Sequence, residues 1–517
     1  MPLARTLMIQ GTASTVGKST LVTGLCRIFA QTGVRVAPFK AQNMALNSFV
    51  TREGGEMGRA QVVQAEAAGI TPHVTMNPVL LKPEGASRSQ VIVMGRPVAT
   101  MEAQAYYRNR TGLLEVVRDA LTTLRTEYEL VIIEGAGSPV ELNLAKNDIV
   151  NMQVARLADA PVLLVGDIDR GGIFASLLGT LMLLPLEDRE RVAGLIVNKF
   201  RGDIALWRDG EHLLAERSGV PVLGTLPMFR DIRIAEEDSV PLEEGTSSIL
   251  HPAQSARGPL LEIVVIRLPY LSNYDEFDAL AAEPGVRLHF VSRPEALPPS
   301  PDLLIIPGSK NTLADLGWLW ECGLATTIRH RSQAGMAVFG ICGGYQMLGE
   351  RVIDPVGSES LPGTAEPGLG LLPLETHFGA LGGKVTTQNV ARIRPNARHG
   401  LFALLDDSAF TAYQIHVGRT VVYGSDGVTP FALAKNEVDG WMRADGWCAG
   451  AYLHGLFENT GFRQGVLAAL ARRRPVPPVD TGEHLAFNRQ DEYEKLAAVL
   501  RAHLDIAAIT RICGLSG

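Results

Sequence analysis

The chain has 517 residues, 46% of them hydrophobic and 20% charged, and a formal net charge of -7. At about 150 residues per domain this length predicts two to four folded units, and the composition excludes a disordered chain, which would be poorer in apolar residues. The acidic balance argues against a nucleic-acid partner, which needs a clustered basic excess. The longest strongly apolar stretch, 173–186, is shorter than the roughly 20 residues of a membrane span and predicts a buried helix instead.

The beginning of the chain and its cysteines predict a cytoplasmic protein without a membrane partner. The first residues lack the apolar region and small-residue cleavage site of a signal peptide. The five cysteines form no CxxC pair, which suits a reducing compartment.

Short β-branched runs alternate with helix-length segments twice along the chain. The first series has runs at 7–10, 34–37, 130–133, 162–165 and 195–198, and the second has runs at 262–267, 302–306, 336–341 and 450–453. Such alternation predicts two α/β domains with parallel sheets. We therefore expect a first domain over 1–235, a linker over 236–258, a second domain over 259–474, and a C-terminal helical extension over 475–517 with an amphipathic helix at 491–504.

The segment GTASTVGKS at 11–19 follows a predicted strand and opens a predicted helix. In this context backbone N–H groups and the helix N-terminus bind phosphates, Lys18 bridges the terminal phosphates, and the Ser19 hydroxyl can hold Mg²⁺. The spacing departs from the strict phosphate-loop pattern because Thr12 stands where a glycine is expected and Gly11 comes one place earlier. The segment, with Gly17 before the lysine, still predicts an ATP site.

Two polar residues end strands of the same predicted sheet. Glu134 follows the apolar run 130–133, so its carboxylate is expected at the carboxyl edge where open α/β sheets bind ligands. It is a candidate Mg²⁺ ligand beside Ser19. Asn198 follows the run 193–197 and is a candidate for reading the nucleotide base.

The segment MAVFGICGG at 336–344 predicts a nucleophile elbow, a strand that turns sharply into a helix expected at 345–349. Cys342 is the nucleophile in this interpretation, and the N–H of Gly343 can face an oxyanion. Gly308, in the turn PGSK at 307–310, can complete the oxyanion hole. The best base is His454, which ends the strand at 450–453; His416 and His377 are the alternatives.

The two constellations together resemble the family of adenosylcobyric acid synthases, glutamine-hydrolysing amidotransferases of cobalamin biosynthesis. The resemblance covers essentially the whole chain, and the segments PFKAQNMALNS at 38–48, LKPEG at 81–85 and SQV at 89–91 are typical of this family. The first domain resembles the dethiobiotin synthetase-like P-loop ATPases, whose loop shares the Gly-Thr start. The second resembles class I glutamine amidotransferases.

The resemblance implies ATP and Mg²⁺ as cofactors, glutamine as nitrogen donor, and a corrinoid, adenosylcobyrinic acid a,c-diamide, as substrate. It implies that the b, d, e and g carboxylates are phosphorylated and then attacked by ammonia. Lys40 would neutralise phosphoryl charge, and Gln42, Asn43 and Asn47 would contact the corrinoid carboxylate. The usual His-x-Glu motif is absent because Leu456 stands two residues after the histidine. The group that orients the histidine is left open, with Glu458 as a first candidate.

Two other functions compete with this prediction. A cobyrinic acid a,c-diamide synthase has the same two domains in the same order, and the segment 40–48 argues against it. A P-loop partitioning or scaffold ATPase with an inactive appended domain would not need the intact cysteine and histidine.

Overall fold

The structure is a computed structural model. It describes residues 3–84, 88–102, 106, 110–143, 148–229, 231–235, 260–424, 427–434, 437–475 and 487–515. The predicted linker at 236–258 lies outside the described residues. Across the described part of the chain, no helix combines the length and the apolar character that a membrane span requires.

Strands β1 to β12 belong to the first half. They span Arg5–Gly11, Val36–Phe39, Gln42–Met44, Ser48–Val50, Glu56–Gly58, Val79–Pro83, Arg88–Val93, Arg96–Glu102, Leu130–Glu134, Val162–Asp167, Val192–Phe200 and Val222–Pro227. Helices α1 to α7 span Lys18–Gln31, Arg59–Ala67, Arg110–Glu127, Met152–Ala158, Ile173–Leu183, Leu186–Arg189 and Arg208–Ser218.

The first half is built on a parallel sheet of six strands in the order β12-β11-β10-β1-β9-β2. Its central strands are apolar on both sides because helices cover both faces; Leu7, Met8 and Ile9 of β1 are all fully buried. The predicted parallel α/β fold of this half is confirmed. The second predicted strand begins at Val36 rather than at residue 34.

Helix α5 corrects one expectation. The apolar stretch 173–186 forms a helix only to Leu183, because Pro185 restricts Leu184 to an extended backbone. Leu177 and Leu181 are buried, whereas Met182 is 75% exposed. Only one face of the helix is therefore buried.

Strands β13 to β25 belong to the second half. They span Leu261–Ile266, Val286–Val291, Leu303–Ile306, Ala337–Ile341, Arg351–Asp354, Thr364–Pro367, Leu374–Phe378, Val385–Ile393, Phe410–His416, Gly418–Val422, Val428–Ala434, Glu437–Arg443 and Cys448–Ala451. Helices α8 to α14 span Asp278–Ala281, Thr312–Glu321, Leu324–Gln333, Gly343–Met347, Thr460–Arg472, Arg489–His503 and Ile506–Ile512.

The second half has a nine-stranded sheet in the order β14-β13-β15-β16-β25-β24-β23-β20-β21. The five strands from β14 to β25 are parallel, as predicted. The remaining four continue the sheet in antiparallel pairs, an extension that the sequence did not predict.

The last two helices return to the first half. Leu496 and Leu500 of α13 share a buried core with Leu21 and Leu25 of α1. The helices approach closely at Gly24, where an added Cβ would lie 2.5 Å from a Leu500 methyl carbon. The predicted amphipathic helix thus exists, two residues earlier than expected at its start, and it ties the end of the chain to the ATP-site half.

Candidate active sites

The phosphate loop is preformed between β1 and α1. Gly17 has a φ of 99°, a left-handed conformation that favours glycine, and α1 begins at the next residue. The Lys18 ammonium folds back over the loop and donates to the carbonyl oxygens of Ala13 at 2.9 Å and Gly137 at 3.2 Å. The strand, loop and helix therefore provide the context that phosphate binding requires.

Glu134 is the centre of a polar cluster beside this loop. It ends β9, next to β1 in the sheet. Its Oε1 accepts hydrogen bonds from the Ser19 hydroxyl and the Lys40 ammonium, both at 2.8 Å, and its Oε2 accepts from Gln64 of α2 at 2.5 Å. Burial alone would raise the pKa of Glu134, but Lys40 and the hydrogen bonds hold it below its usual value.

The donors in this cluster fit magnesium. A hydroxyl oxygen and a carboxylate oxygen are the ligands that Mg²⁺ prefers beside phosphates. The structure brings Ser19 and Glu134 together as the sequence predicted, and it adds Gln64 and Gln61 of α2, which donate to the same carboxylate. Neither glutamine was singled out from the sequence.

Asn198 contacts the phosphate loop itself. Its side-chain amide donates to the Val16 carbonyl at 2.8 Å, and its carbonyl accepts from the backbone of Lys199. An added Cβ at Gly17 would lie 2.2 Å from the Asn198 nitrogen. This contact holds the phosphate loop in place. A role of Asn198 in reading the nucleotide base stays a prediction.

The candidate substrate residues lie in and after β3. Gln42 accepts a hydrogen bond from the Tyr106 hydroxyl, and Asn43 donates to Gln61 at 2.9 Å. The Oδ1 of Asn47 accepts a hydrogen bond from the backbone N–H of Tyr274 in the second half at 3.3 Å. Asn43 is thus linked to Glu134 through Gln61, whereas Asn47 lies at the boundary between the halves.

The second site has the strained turn that the elbow motif predicts. Cys342, between β16 and α11, has φ 52° and ψ -108°. Such a conformation is costly for a residue other than glycine and is typical of functional sites. An added Cβ at Gly344 would lie 1.9 Å from the Ile306 carbonyl oxygen, so only glycine permits this packing. Helix α11 begins at Gly343, two residues earlier than predicted.

His454 stands at the end of β25 and is buried with Cys342. Its Nδ1 is 3.0 Å from the Oε1 of Glu276, whose Oε2 accepts from the backbone N–H of Gly455 at 3.1 Å. Burial opposes a charge on the ring, but the Glu276 and Cys342 side chains raise the pKa of His454 to about 10. Cys342 lines the same pocket, with its Sγ 3.6 Å from the Ile415 carbonyl oxygen, so the site holds the thiol, imidazole and carboxylate that such a catalytic unit requires.

Glu276 replaces the sequence-based candidate Glu458, which was wrong. Glu458 instead bonds Arg59 at 3.2 Å and Arg489 at 2.9 Å, because it lies one turn beyond the histidine, on the side that faces α2 and α13. Glu276 comes from the 3-10 turn Tyr274–Phe277 after β13. Its position after the carboxyl end of a central strand was the available signal, but the histidine is 178 residues away.

The alternative histidines make other contacts. His416 lines the same pocket, but its ring stacks on Tyr452, its Nδ1 contacts the Gly418 carbonyl oxygen, and burial lowers its pKa to about 4. His377 lies on β19 beside Glu375 at 2.9 Å and does not line the pocket.

The two expected oxyanion donors flank the dyad. The N–H of Gly343, as the first residue of α11, has no acceptor within its own helix. Gly308 lies against the histidine, since an added Cβ there would be 2.9 Å from Cε1 of His454.

Comparisons with known proteins agree with both halves. Residues 7–242 match the CobQ/CobB/MinD/ParA nucleotide binding domain, and residues 262–462 match the CobB/CobQ-like glutamine amidotransferase domain. The chain is 48% identical to a cobyric acid synthase of Sorangium cellulosum over 99% of both chains and 48% identical to one of Dehalococcoides mccartyi over 98% of both. It is 46% identical to one of Salmonella heidelberg over 99% of this chain and 98% of that one.

Each alignment with these relatives runs through both halves of the chain and covers nearly the whole length of the relative. The chain therefore belongs to the cobyric acid synthase family, glutamine-dependent amidotransferase ligases of cobalamin biosynthesis.

Proposed function

We propose that this enzyme converts adenosylcobyrinic acid a,c-diamide into adenosylcobyric acid by amidating the b, d, e and g carboxylates, with one ATP and one glutamine consumed per amide. The observation that carries the proposal is the pair of preformed clusters, Ser19–Glu134–Lys40 and Cys342–His454–Glu276, in one chain. We assign ATP-dependent amide synthesis to 1–235, glutamine hydrolysis to 259–474, and a helical extension to 475–517.

At the thiol site, Glu276 holds the proton on Nδ1 of His454, so that Nε2 can take the proton of Cys342. The thiolate attacks the side-chain amide carbon of glutamine, and the N–H groups of Gly343 and Gly308 stabilise the oxyanion. His454 then protonates the departing ammonia. Water, deprotonated by the same histidine, hydrolyses the glutamyl thioester to glutamate.

At the ATP site, a carboxylate of the corrinoid attacks the γ-phosphorus and ADP leaves. The loop residues Gly11, Thr12 and Gly17 hold the phosphates, Lys18 and Lys40 neutralise transferred charge, and Asn198 supports the loop through the Val16 carbonyl. Ser19 and Glu134 would hold Mg²⁺, which neutralises phosphate charge when bound.

Ammonia from the thiol site then attacks the carboxyl phosphate and releases inorganic phosphate. We assign Gln42, Asn43 and Asn47 to the corrinoid carboxylate. Asn43 supports this assignment because Gln61 links it to Glu134.

The test is to incubate the protein with ATP, Mg²⁺, glutamine and the a,c-diamide and to weigh the corrinoid product. We expect a product with four new amides and one glutamate released per amide. If the substrate carboxylates carry heavy oxygen, one labelled oxygen should appear in phosphate for each amide, because that oxygen leaves with phosphate.

Other outcomes would contradict the proposal. No amidation of the a,c-diamide, together with amidation of the a and c positions when cobyrinic acid is supplied instead, would identify an a,c-diamide synthase. ATP hydrolysis without glutamate formation would favour a partitioning ATPase. Unlabelled phosphate would exclude the carboxyl phosphate.

A further inference from the structure

The pocket around Cys342 and His454 is not formed by the second half alone. Three of its lining residues, Lys82, Glu84 and Gln90, belong to the first half, where they lie at the end of β6 and in β7. They come from the family-typical segments 81–85 and 89–91, which the chemistry above leaves without a role. The glutamine pocket is therefore completed across the boundary between the halves.

One ion pair in this pocket spans that boundary. The Lys310 ammonium is 2.6 Å from the Glu84 carboxylate, and their side chains are 12% and 10% exposed. Lys310 follows Gly308 by two residues, so the pair lies beside the turn that we assign to the oxyanion hole. It places one positive and one negative group on the wall of the pocket that also holds Cys342 and His454.

Glutamine needs such a pair of groups. Its amide carbon reacts with the thiol, while its other end carries an ammonium and a carboxylate that lose water on entering the pocket. Buried charges are tolerated when each is paired with an opposite charge. If glutamine enters between Glu84 and Lys310, one ion pair becomes two and the net charge of the pocket does not change.

We propose that Glu84 binds the α-ammonium of glutamine and that Lys310 binds its α-carboxylate, so that the amide-synthetase half supplies a specificity-determining residue of the glutaminase. The assignment rests on the proposed function, in which Cys342 hydrolyses glutamine. It also means that bound glutamine bridges the two halves.

The other charged groups in the pocket have established partners. Glu359 accepts a hydrogen bond from the N–H of Thr312, the first residue of α9, at 2.7 Å, and burial raises its pKa to about 8, so it is mostly uncharged at neutral pH. Lys384 is 2.5 Å from buried Glu56, which also binds Lys82 at 2.8 Å. Lys82 and Lys384 thus share a carboxylate that does not line the pocket, whereas Glu84 and Lys310 both line it. Glu359 is within electrostatic range of Lys310, but its carboxyl group is bound to the N-terminus of α9.

The first experiment measures glutamate release by full-length Glu84→Gln and Lys310→Met. Because each removes one charged partner of the substrate, we expect the KM for glutamine to rise about tenfold to hundredfold, with a smaller change in kcat. The matched control is Asp302→Asn, which weakens the Asp302–Arg474 ion pair of the same 2.6 Å length outside the pocket, and its KM should stay at the wild-type value. Thermal unfolding reports whether each variant is folded.

The decisive experiment uses glutamine analogues. Glutaramate lacks the α-amino group, so the wild type should prefer glutamine by about tenfold to hundredfold in kcat/KM, and Glu84→Gln should lose this preference while Lys310→Met keeps it. Glutaminamide lacks the α-carboxylate. Against this analogue, Lys310→Met should lose the preference for glutamine, and Glu84→Gln should keep it. A Glu84→Gln chain that keeps the full preference for glutamine over glutaramate would overturn this assignment but leave the proposed function intact. A wild-type chain that releases no glutamate would refute the proposed function and this assignment with it.

Discussion

The ATP site and the thiol site are each formed at a glycine-rich turn at the carboxyl edge of a parallel sheet. They differ in where the supporting charges come from. In the ATP site, Ser19, Lys40 and Glu134 follow neighbouring strands of one sheet. In the thiol site, the carboxylate behind His454 comes from a turn 178 residues away, and Glu84 and Lys82 come from the other half.

This difference has a functional consequence. A site whose side chains all come from one sheet is rigid once that sheet is folded. A site whose walls come from two halves depends on how the halves are held together. We therefore expect substitutions in the ATP site to stop the whole reaction, and substitutions around the thiol site to separate glutamine use from amide synthesis.

The largest expected effect is that of Lys18→Ala. The lysine acts on the phosphates before the nitrogen source matters, so amidation should fall by about a thousandfold or more with either glutamine or ammonium. The measurement is amide formation with each donor. Lys495→Ala, at a surface ion pair with Glu492, is the control and should retain the wild-type rate. Retention of ammonium-dependent synthesis by Lys18→Ala would contradict a role in phosphoryl transfer.

Cys342→Ala should remove only one of the two activities. Without the sulfur no glutamyl thioester forms, so glutamine-dependent synthesis should fall by about a thousandfold. Synthesis with a high concentration of ammonium salt at mildly alkaline pH should survive, because ammonia can still attack the activated carboxylate. Cys322→Ala, outside the pocket, serves as control. Equal loss with both donors in a folded Cys342→Ala chain would refute the separate-glutaminase model.

The sequence predicted the ATP site more completely than the thiol site, and the reason is geometric. The loop 11–19 and Glu134 are each recognised from adjacent residues, since a strand and the turn after it are contiguous. Cys342 and His454 also end strands and were found in the same way. Glu276 lies ten residues beyond the end of β13, in a turn that packs against the turn Leu456–Glu458 after the histidine, and no local pattern marks it.

The same limit explains the other features that were missed. Residues 81–85 were recognised as typical of the family, yet only the contact between the two halves places Glu84 in the thiol pocket. Helix α13 was predicted from its amphipathic pattern, but its apolar face does not say which half it will cover. Helices, strands and turns are marked by adjacent residues in the sequence, whereas the contacts between the halves depend on packing between distant segments.

Glu276→Gln tests the distant carboxylate. The amide cannot hold the imidazolium, so glutaminase activity should fall by about a hundredfold to ten-thousandfold, the range typical of neutralising the acid behind a catalytic histidine. Glu276 and the thiol side chain raise the pKa of His454 to about 10 against the effect of burial. Without Glu276 the imidazolium loses its proton at lower pH, and the alkaline limb of the kcat/KM profile should move to lower pH.

The control for that experiment is Glu458→Gln, the residue that the sequence suggested. Its carboxylate binds Arg59 and Arg489 rather than the histidine. It should leave the position of the alkaline limb unchanged. A shift of the limb in Glu458→Gln and not in Glu276→Gln would contradict the assigned geometry.

Arg59→Met tests the connection between the two sites. Arg59 begins α2, whose Gln64 binds Glu134, and its Nε is 2.6 Å from Asp275, the neighbour of Glu276. Removing one partner of a buried ion pair typically costs about 3–5 kcal/mol, so the thermal unfolding midpoint should fall by several degrees. Arg191→Met, which breaks a surface pair with Asp159, should produce a much smaller shift. Equal shifts in the two variants would show that the boundary does not depend on this pair.

The smallest effect is expected for Asn198→Ala, and it sharpens the account of the ATP site. The side chain donates one hydrogen bond to the Val16 carbonyl at 2.8 Å, so its loss should raise the KM for ATP by about twofold to tenfold. Because that contact holds the loop and not the base, the loss should be equal for ATP and GTP. Asn396→Ala, at an exposed position of the second half, controls for the substitution itself. If Asn198→Ala instead changes the preference between ATP and GTP, the asparagine reads the base, and the first site also depends on a side chain that reaches beyond its own loop.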